Sequence, residues 1–145
     1  MSFVGYGPAR IGMTRKELEQ AIGSKLVGQY PDADEMGCDY VAPETGHDAL
    51  SFMLVNERLV RIDVSSSGVK TISGAQVGDA QDSVLALYRD RIQITPHHYT
   101  APDGSYLTMY SPNRKYGMRF ETDHGVVTTY YAGTAEAIQY VEGCL

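Results

Sequence analysis

A spacing that occurs twice sets the terms on which this chain can fold. Ile11-Gly12-Met13-Thr14 is followed at four-residue steps by Leu18 and Ile22, and Val77-Gly78-Asp79-Ala80 is followed in the same way by Val84 and Tyr88, an offset of about 66 residues. Beyond each lies a hairpin signal, two apolar-rich runs around a short polar turn. The first runs from Leu50 to Val55, turns at Asn56-Glu57-Arg58 and returns from Leu59 to Val64. The second runs from Met118 to Thr122, turns at Asp123-His124-Gly125 and returns from Val126 to Tyr131.

The repeat predicts an α+β fold of two tandem units, each a short helix followed by a three-stranded antiparallel meander, with the helices packed on one sheet face. The units cover about 8–66 and 74–133 of a single domain, with a tail over 134–145. Thr14 with Glu17 forms a capping box for the first helix, and Asp79 can cap the second. The remaining strand of each meander falls at Asp39–Ala42 and Tyr106–Tyr110, a further short strand is open at Gln93–Thr95, and a last helix is expected over Thr134–Tyr140.

Side chains alternate across a strand, so the pattern divides inner from outer residues. Met53, Val55, Val60, Ile62 and Val64 are expected inside in the first half, and Leu107, Met109, Met118, Phe120, Val127 and Tyr131 in the second. The uncovered face then carries Phe52, Leu54, Arg61, Asp63, Tyr106, Tyr110, Arg119 and Tyr130. Tyr and Arg are enriched in the cores of protein interfaces, so this face is the expected partner-binding site. Eleven Tyr against three Phe point the same way, because a phenol suits a half-exposed surface better than a dry core.

Tandem helix-plus-meander units opened by Gly12-Met13-Thr14 with Leu18, and by the weaker copy Gly78-Asp79-Ala80 with Val84, resemble the fold of the β-lactamase inhibitor protein family. The single unit is similar to the small outer-membrane lipoproteins of the SmpA/OmlA (BamE) group. The resemblance implies a periplasmic or secreted protein that grips another protein with an exposed sheet face. What carries over is the architecture and the binding face, since the chain has no Trp and two Cys where inhibitor-type proteins have Trp-bearing faces and more disulfides.

Cys38 and Cys144 belong to no CxxC pair, which removes a zinc ribbon or a thioredoxin-type site. We expect one disulfide closing a loop of about a hundred residues, the alternative being two thiols in a reducing compartment. The start of the chain lacks a basic and apolar signal segment, as a mature domain cut free of its export signal would, and no run reaches the length of a membrane span.

Six more acidic than basic residues give the wrong sign for a phosphate backbone, so nucleic acid is not an expected partner. Asp32-Ala33-Asp34-Glu35-Met36-Gly37 begins like a calcium loop and then breaks its spacing, with Pro43 where the bidentate glutamate belongs. His97 and His98 point to opposite sides of an extended segment, and His47 and His124 sit in turns, so neither metal nor cofactor is expected. Ser65-Ser66-Ser67 precedes Gly68 without a nucleophile elbow, and no catalytic frame surrounds either cysteine.

The expectation is a non-enzymatic exported protein-binding module of inhibitor, immunity or envelope-assembly type. The alternative is a small-ligand binder or hydrolase with a pocket between the repeats, where Arg119 with Glu121 or Asp63 would supply the polar groups.

Overall fold

The computed structural model describes residues 1–29, 37–46 and 48–144. The acidic segment Asp32–Met36, Tyr30 and His47 lie outside the described residues.

The hairpin signals translate into strands. β1 (Gly5–Tyr6) and β2 (Ala9–Arg10) form a small two-stranded sheet. The main sheet contains β3 (Leu26–Gly28), β4 (Cys38–Pro43), β5 (Leu50–Val55), β6 (Arg58–Val64), β7 (Gln93–Pro96), β8 (Gly104–Tyr110), β9 (Tyr116–Asp123) and β10 (Val126–Thr134). Its order is 3-4-5-6-10-9-8-7, and every neighbouring pair is antiparallel. Both tight hairpins use two-residue turns with positive φ at both central positions, Asn56 (50°) with Glu57 (63°) and His124 (49°) with Gly125 (78°). That geometry matches the twist of the flanking strands.

The expected α+β unit of one helix and three strands, twice over with helices laid on one sheet face, is overturned. The chain is mainly β, 41% strand against 16% helical, with one eight-stranded sheet, one two-stranded sheet and, among the described residues, two α-helices. Two pairings account for the difference: β3 and β7 add edge strands that the periodicity underweighted, and β6 hydrogen-bonds to β10, so the halves fuse into one surface. The last helix is also absent, since β10 runs on to Thr134 and only a 3-10 turn, Ala137–Gln139, follows.

Helix α1 (Arg15–Ile22) starts on the capping box read from the sequence: Thr14 Oγ1 accepts from the Glu17 N–H, and Glu17 Oε1 accepts from the Thr14 N–H, both at 3.2 Å. Gly23 ends it in the left-handed region at φ 70°. Helix α2 (Gln81–Tyr88) has Ala80 at its N-cap without a side-chain cap. Asp79 instead accepts from the Gln76 N–H at 3.0 Å, bracing the turn before the helix.

Burial divides the main sheet into a core face and a polar face. The core gathers Leu18, Val84 and Tyr88 with Phe52, Leu54, Leu59, Ile62, Val64, Leu107, Phe120, Val127 and Tyr130. Two bulges set this division. Met53 faces Arg61 while Leu54 faces Leu59, which leaves Val60 as an extra residue on β6. Thr122 faces Val127 while Glu121 faces Thr129, which leaves Thr128 extra on β10. Beyond an extra residue the alternation changes sides, so Val127 and Tyr130 both enter the core and Tyr131 turns to the polar face.

Candidate functional site: the polar face and its tether

Five of the eight residues expected on an open face sit on the polar face, Tyr110 at its margin, and three lie in the core instead. Phe52 and Leu54 are 1% exposed and Tyr130 is fully buried, all in the core. For Tyr130 the cause is the bulge at Thr128; its hydroxyl donates to the Val69 carbonyl at 2.7 Å. For Phe52 and Leu54 the cause is that β5 is apolar at every position except Ser51, so alternation has nothing to read. Met53 takes the polar-face side in a second small cluster with Tyr40 and Ala137. Tyr110 lies at the margin of the polar face, half-buried, under the Arg114 guanidinium at 4.8 Å from its ring.

Arg61, Asp63, Arg119 and Tyr106 are brought together on the polar face, and all are largely buried. Arg61 Nε donates to Asp63 Oδ1 at 2.7 Å, and Nη2 donates to Asp63 Oδ2 at 2.9 Å and to the Tyr40 hydroxyl at 3.0 Å. Nη1 donates to the carbonyls of Ala137 and Tyr140, both at 3.0 Å. A guanidinium has five N–H donors, so this one is fully satisfied within the molecule. Its plane lies over the Tyr131 ring at 4.1 Å, and the Tyr40 hydroxyl donates in turn to Asp63.

The network extends toward β7. The Tyr131 hydroxyl donates to Glu121 Oε1 at 2.9 Å, and Glu121 Oε2 lies 3.2 Å from His97 Nε2. His97 stacks on Tyr106 at 4.6 Å, and Arg119 covers Tyr106 at 4.7 Å. Arg119 Nε donates to Thr108 Oγ1 at 2.9 Å and Nη2 to Gln139 Oε1 at 2.8 Å. The expectation that His97 and His98 diverge holds, with His98 exposed, but His97 is a wall of this network with its side chain 11% exposed. Burial, reinforced by the Glu121 carboxylate, pushes Asp63 well above the usual carboxylate range. Burial likewise holds Arg61 below its ordinary value and raises Tyr131.

What covers this face is the chain's own C-terminal segment. Ala137 and Ile138 are buried, with Ile138 against the bare backbone of Gly117, where a Cβ would stand 2.3 Å from its terminal methyl. The segment ends at a disulfide between Cys38 on β4 and Cys144, with 5.5 Å between the Cα atoms. Gly143 lies against the Tyr40 ring, 2.9 Å from where its Cβ would be.

The aromatic surface that remains outward is shared by the tether and the loop between β7 and β8. Tyr99 is 60% exposed, Tyr140 37% and Val141 38%. With His98 and Glu142 they surround an open cavity of about 380 Å³, and the Tyr99 hydroxyl donates to Glu142. Sequence reasoning missed this group, because Tyr99 and Tyr140 become neighbours only through the disulfide and the β8–β9–β10 register. Among the described residues, no group of three or more His, Cys, Asp or Glu converges as a metal site, and no helix is long and apolar enough to cross a membrane.

The fold and site define a mainly-β protein, built on one eight-stranded antiparallel sheet with a small two-stranded one, whose polar face is closed by a disulfide-held tail. No family model matches its sequence, and no curated protein does. Two solved structures share the fold. An extracellular protein containing an SCP domain from Bacillus anthracis str. Ames aligns at TM-score 0.57 and 12% identity over 89% of this chain; the chain spans 45% of that protein. The uncharacterized protein yfeY from Escherichia coli aligns at TM-score 0.57 and 14% identity over 92% of this chain and 98% of its own.

Proposed function

We propose that the protein is an exported, non-enzymatic protein-binding module, and that its contact surface is the outer side of the tethered tail with the adjoining loop, centred on Tyr99, Tyr140 and Val141. The observation that carries this reading is the contrast between Arg61, whose five donors are all engaged inside the molecule, and the neighbouring tyrosines, which project outward around the cavity. The sheet face first expected to bind is occupied by the chain itself; the patch above it has the Tyr-rich, partly apolar character of an interface core with a charged rim at Glu142.

The disulfide supports export, because such bonds persist in oxidising compartments and are rare in the cytosol of mesophiles. Tying the tail down also pre-orders the patch, which lowers the entropy lost on binding. The partner that fits is a folded exported protein presenting a convex group with hydrogen-bonding atoms to the cavity, whose lining includes His98, Glu142 and the tyrosine hydroxyls.

The test is affinity capture from envelope and culture fractions with the oxidised protein, alongside a Tyr99→Ala/Tyr140→Ala variant. We expect a protein retained by the wild type whose Kd rises at least tenfold for the variant, with the thermal midpoint nearly unchanged. Equal affinity for both would overturn the proposed surface.

A further inference from the structure

A second cavity, on the core side and remote from the tethered tail, has a different chemistry. About 220 Å³ of space opens beside the C-terminal end of α2, floored by Met109 and Met118 and walled by Tyr88 and Phe3. The two methionines are 2% exposed and Tyr88 is 4% exposed. Its one charged side chain is Arg91, exposed in the 3-10 turn Arg89–Arg91 that follows α2; Met1, whose ammonium donates to the Lys70 carbonyl at 2.7 Å, lines another wall. At the mouth stands Ile72, 83% exposed and the most exposed large apolar side chain among the described residues.

Each feature constrains what fits. The Tyr88 hydroxyl and Thr71 Oγ1 lie 2.6 Å apart and satisfy each other, so the wall makes little further polar demand. Arg91 Nη2 reaches Met109 Sδ at 3.9 Å, and the guanidinium lies 5.7 Å from the Tyr88 ring centroid. No carboxylate among the described residues comes within 4 Å of it, although the chain carries more acidic than basic groups. An exposed guanidinium with no carboxylate partner among the described residues therefore borders an apolar, methionine-floored space, and its planar fork is shaped to take a carboxylate on two N–H bonds. Methionine adapts to irregular apolar shapes, which suits a floor that takes more than one tail. Cavities of about 150 Å³ take up benzene, so this volume suits one ring or a short acyl chain and is below the usual size for a drug-sized ligand.

We propose that this cavity binds small hydrophobic monocarboxylic acids, with the apolar group over Met109 and Met118 and the carboxylate on Arg91. Ile72 closes over the tail at the mouth. The site is separate from the protein-binding surface and stands or falls independently of it.

The test is calorimetric titration of the full oxidised chain with octanoate, octan-1-ol and octylamine, followed by carbon-13 methyl spectra of the methionines. The wild type should bind octanoate at least tenfold more tightly than octanol, with octylamine weakest. The methyl shifts should be confined to Met109 and Met118 among the six methionines, apart from the adjacent Met1. Arg91→Gln should bring octanoate to the level of octanol while leaving octanol unchanged, and Ile72→Asp, at an exposed position that the fold does not need, should weaken octanoate. Absence of octanoate binding, equal binding of octanoate and octylamine, indifference to Arg91→Gln, or methyl shifts elsewhere would each overturn the proposal.

Discussion

Arg61 and Asp63, two residues apart on β6 and so on one face of the sheet, form a bidentate pair whose guanidinium also holds the carbonyls of Ala137 and Tyr140. One side chain thereby joins the centre of the sheet to the tail that covers it. The pair is buried, with side-chain exposures of 5% for Arg61 and 17% for Asp63. Its polar atoms are satisfied by each other, by Tyr40 and by the tail rather than by water.

Removing one partner should therefore cost far more than removing both. Arg61→Ala leaves Asp63 without its counter-ion beside Glu121 and strands two tail carbonyls, an effect of about 3–5 kcal/mol. The double change Arg61→Met/Asp63→Leu keeps volume and removes both charges, and should recover a large part of that loss. Urea unfolding of the three proteins checks this; a double variant no more stable than Arg61→Ala would show that charge burial is not the source.

Two tyrosines, Tyr130 expected on the open face and Tyr99 not singled out by the sequence, should behave oppositely. Tyr130 is fully buried, stacks on Phe120 at 5.2 Å and donates to the Val69 carbonyl, so Tyr130→Ala should cost about 3–5 kcal/mol. Tyr99 is 60% exposed, and its alanine variant should lie within about 0.5 kcal/mol of wild type. Thermal midpoints separate the two, and a Tyr130→Ala protein as stable as wild type would contradict the placement of that ring.

The contrast also shows what the sequence could and could not convey. Capping at Thr14 and Glu17, the two hairpins and the bridge between Cys38 and Cys144 rest on local chemistry or on an inventory of two cysteines, and were legible. The fused main sheet was not, because β6–β10 pairing joins Val64 to Tyr130 across nearly half of the chain and leaves no local trace. The parity errors have two physical origins: a bulge adds a residue without changing composition, so Thr128 and Val60 look like ordinary strand positions, and β5 is apolar at all positions but Ser51, so alternation there has no signal. Nor does a covered polar face differ in sequence from an open one. Arg61 looks the same whether it meets a partner or Ala137.

Alkali should find the two adjacent tyrosines of β10. Burial raises Tyr130, helped by neighbouring Tyr88 and Tyr6, and burial with the Glu121 carboxylate raises Tyr131. A phenol raised in the folded state contributes stability that is fully present below its unfolded value near pH 10 and is lost as pH climbs toward the folded value. Stability should thus be flat from neutrality to about pH 9.5, then fall by up to about 1.4 kcal/mol per pH unit for each of the two. In an absorbance titration near 295 nm, Tyr130 and Tyr131 should stay silent until unfolding. Full ionisation of all eleven tyrosines before any loss of structure would refute this.

The last expectation concerns the bridge as the anchor of the tail. The disulfide spans a sequence separation of 106, and its loss frees the denatured chain from a loop closure that the chain-entropy account sets at about 4.7 kcal/mol. Local chemistry indicates where the folded state would loosen first. Between Ala137 and Cys144 the tail is held by the Arg61 and Arg119 contacts and by Ile138, while Gly143 and Cys144 hold their place through Tyr40 and Cys38. In a Cys38→Ala/Cys144→Ala protein, or after reduction by a small dithiol, exchange of the Tyr140 amide should accelerate well ahead of amides in β9 and β10, because only the tail loses its tether. The same treatment should weaken capture through Tyr140 and Val141, as a patch that must be ordered on binding costs more to form. Uniform acceleration across the sheet would mean instead that the bridge supports the whole fold, and unchanged exchange at Tyr140 would mean that the Arg61, Arg119 and Ile138 contacts are sufficient to hold the tail.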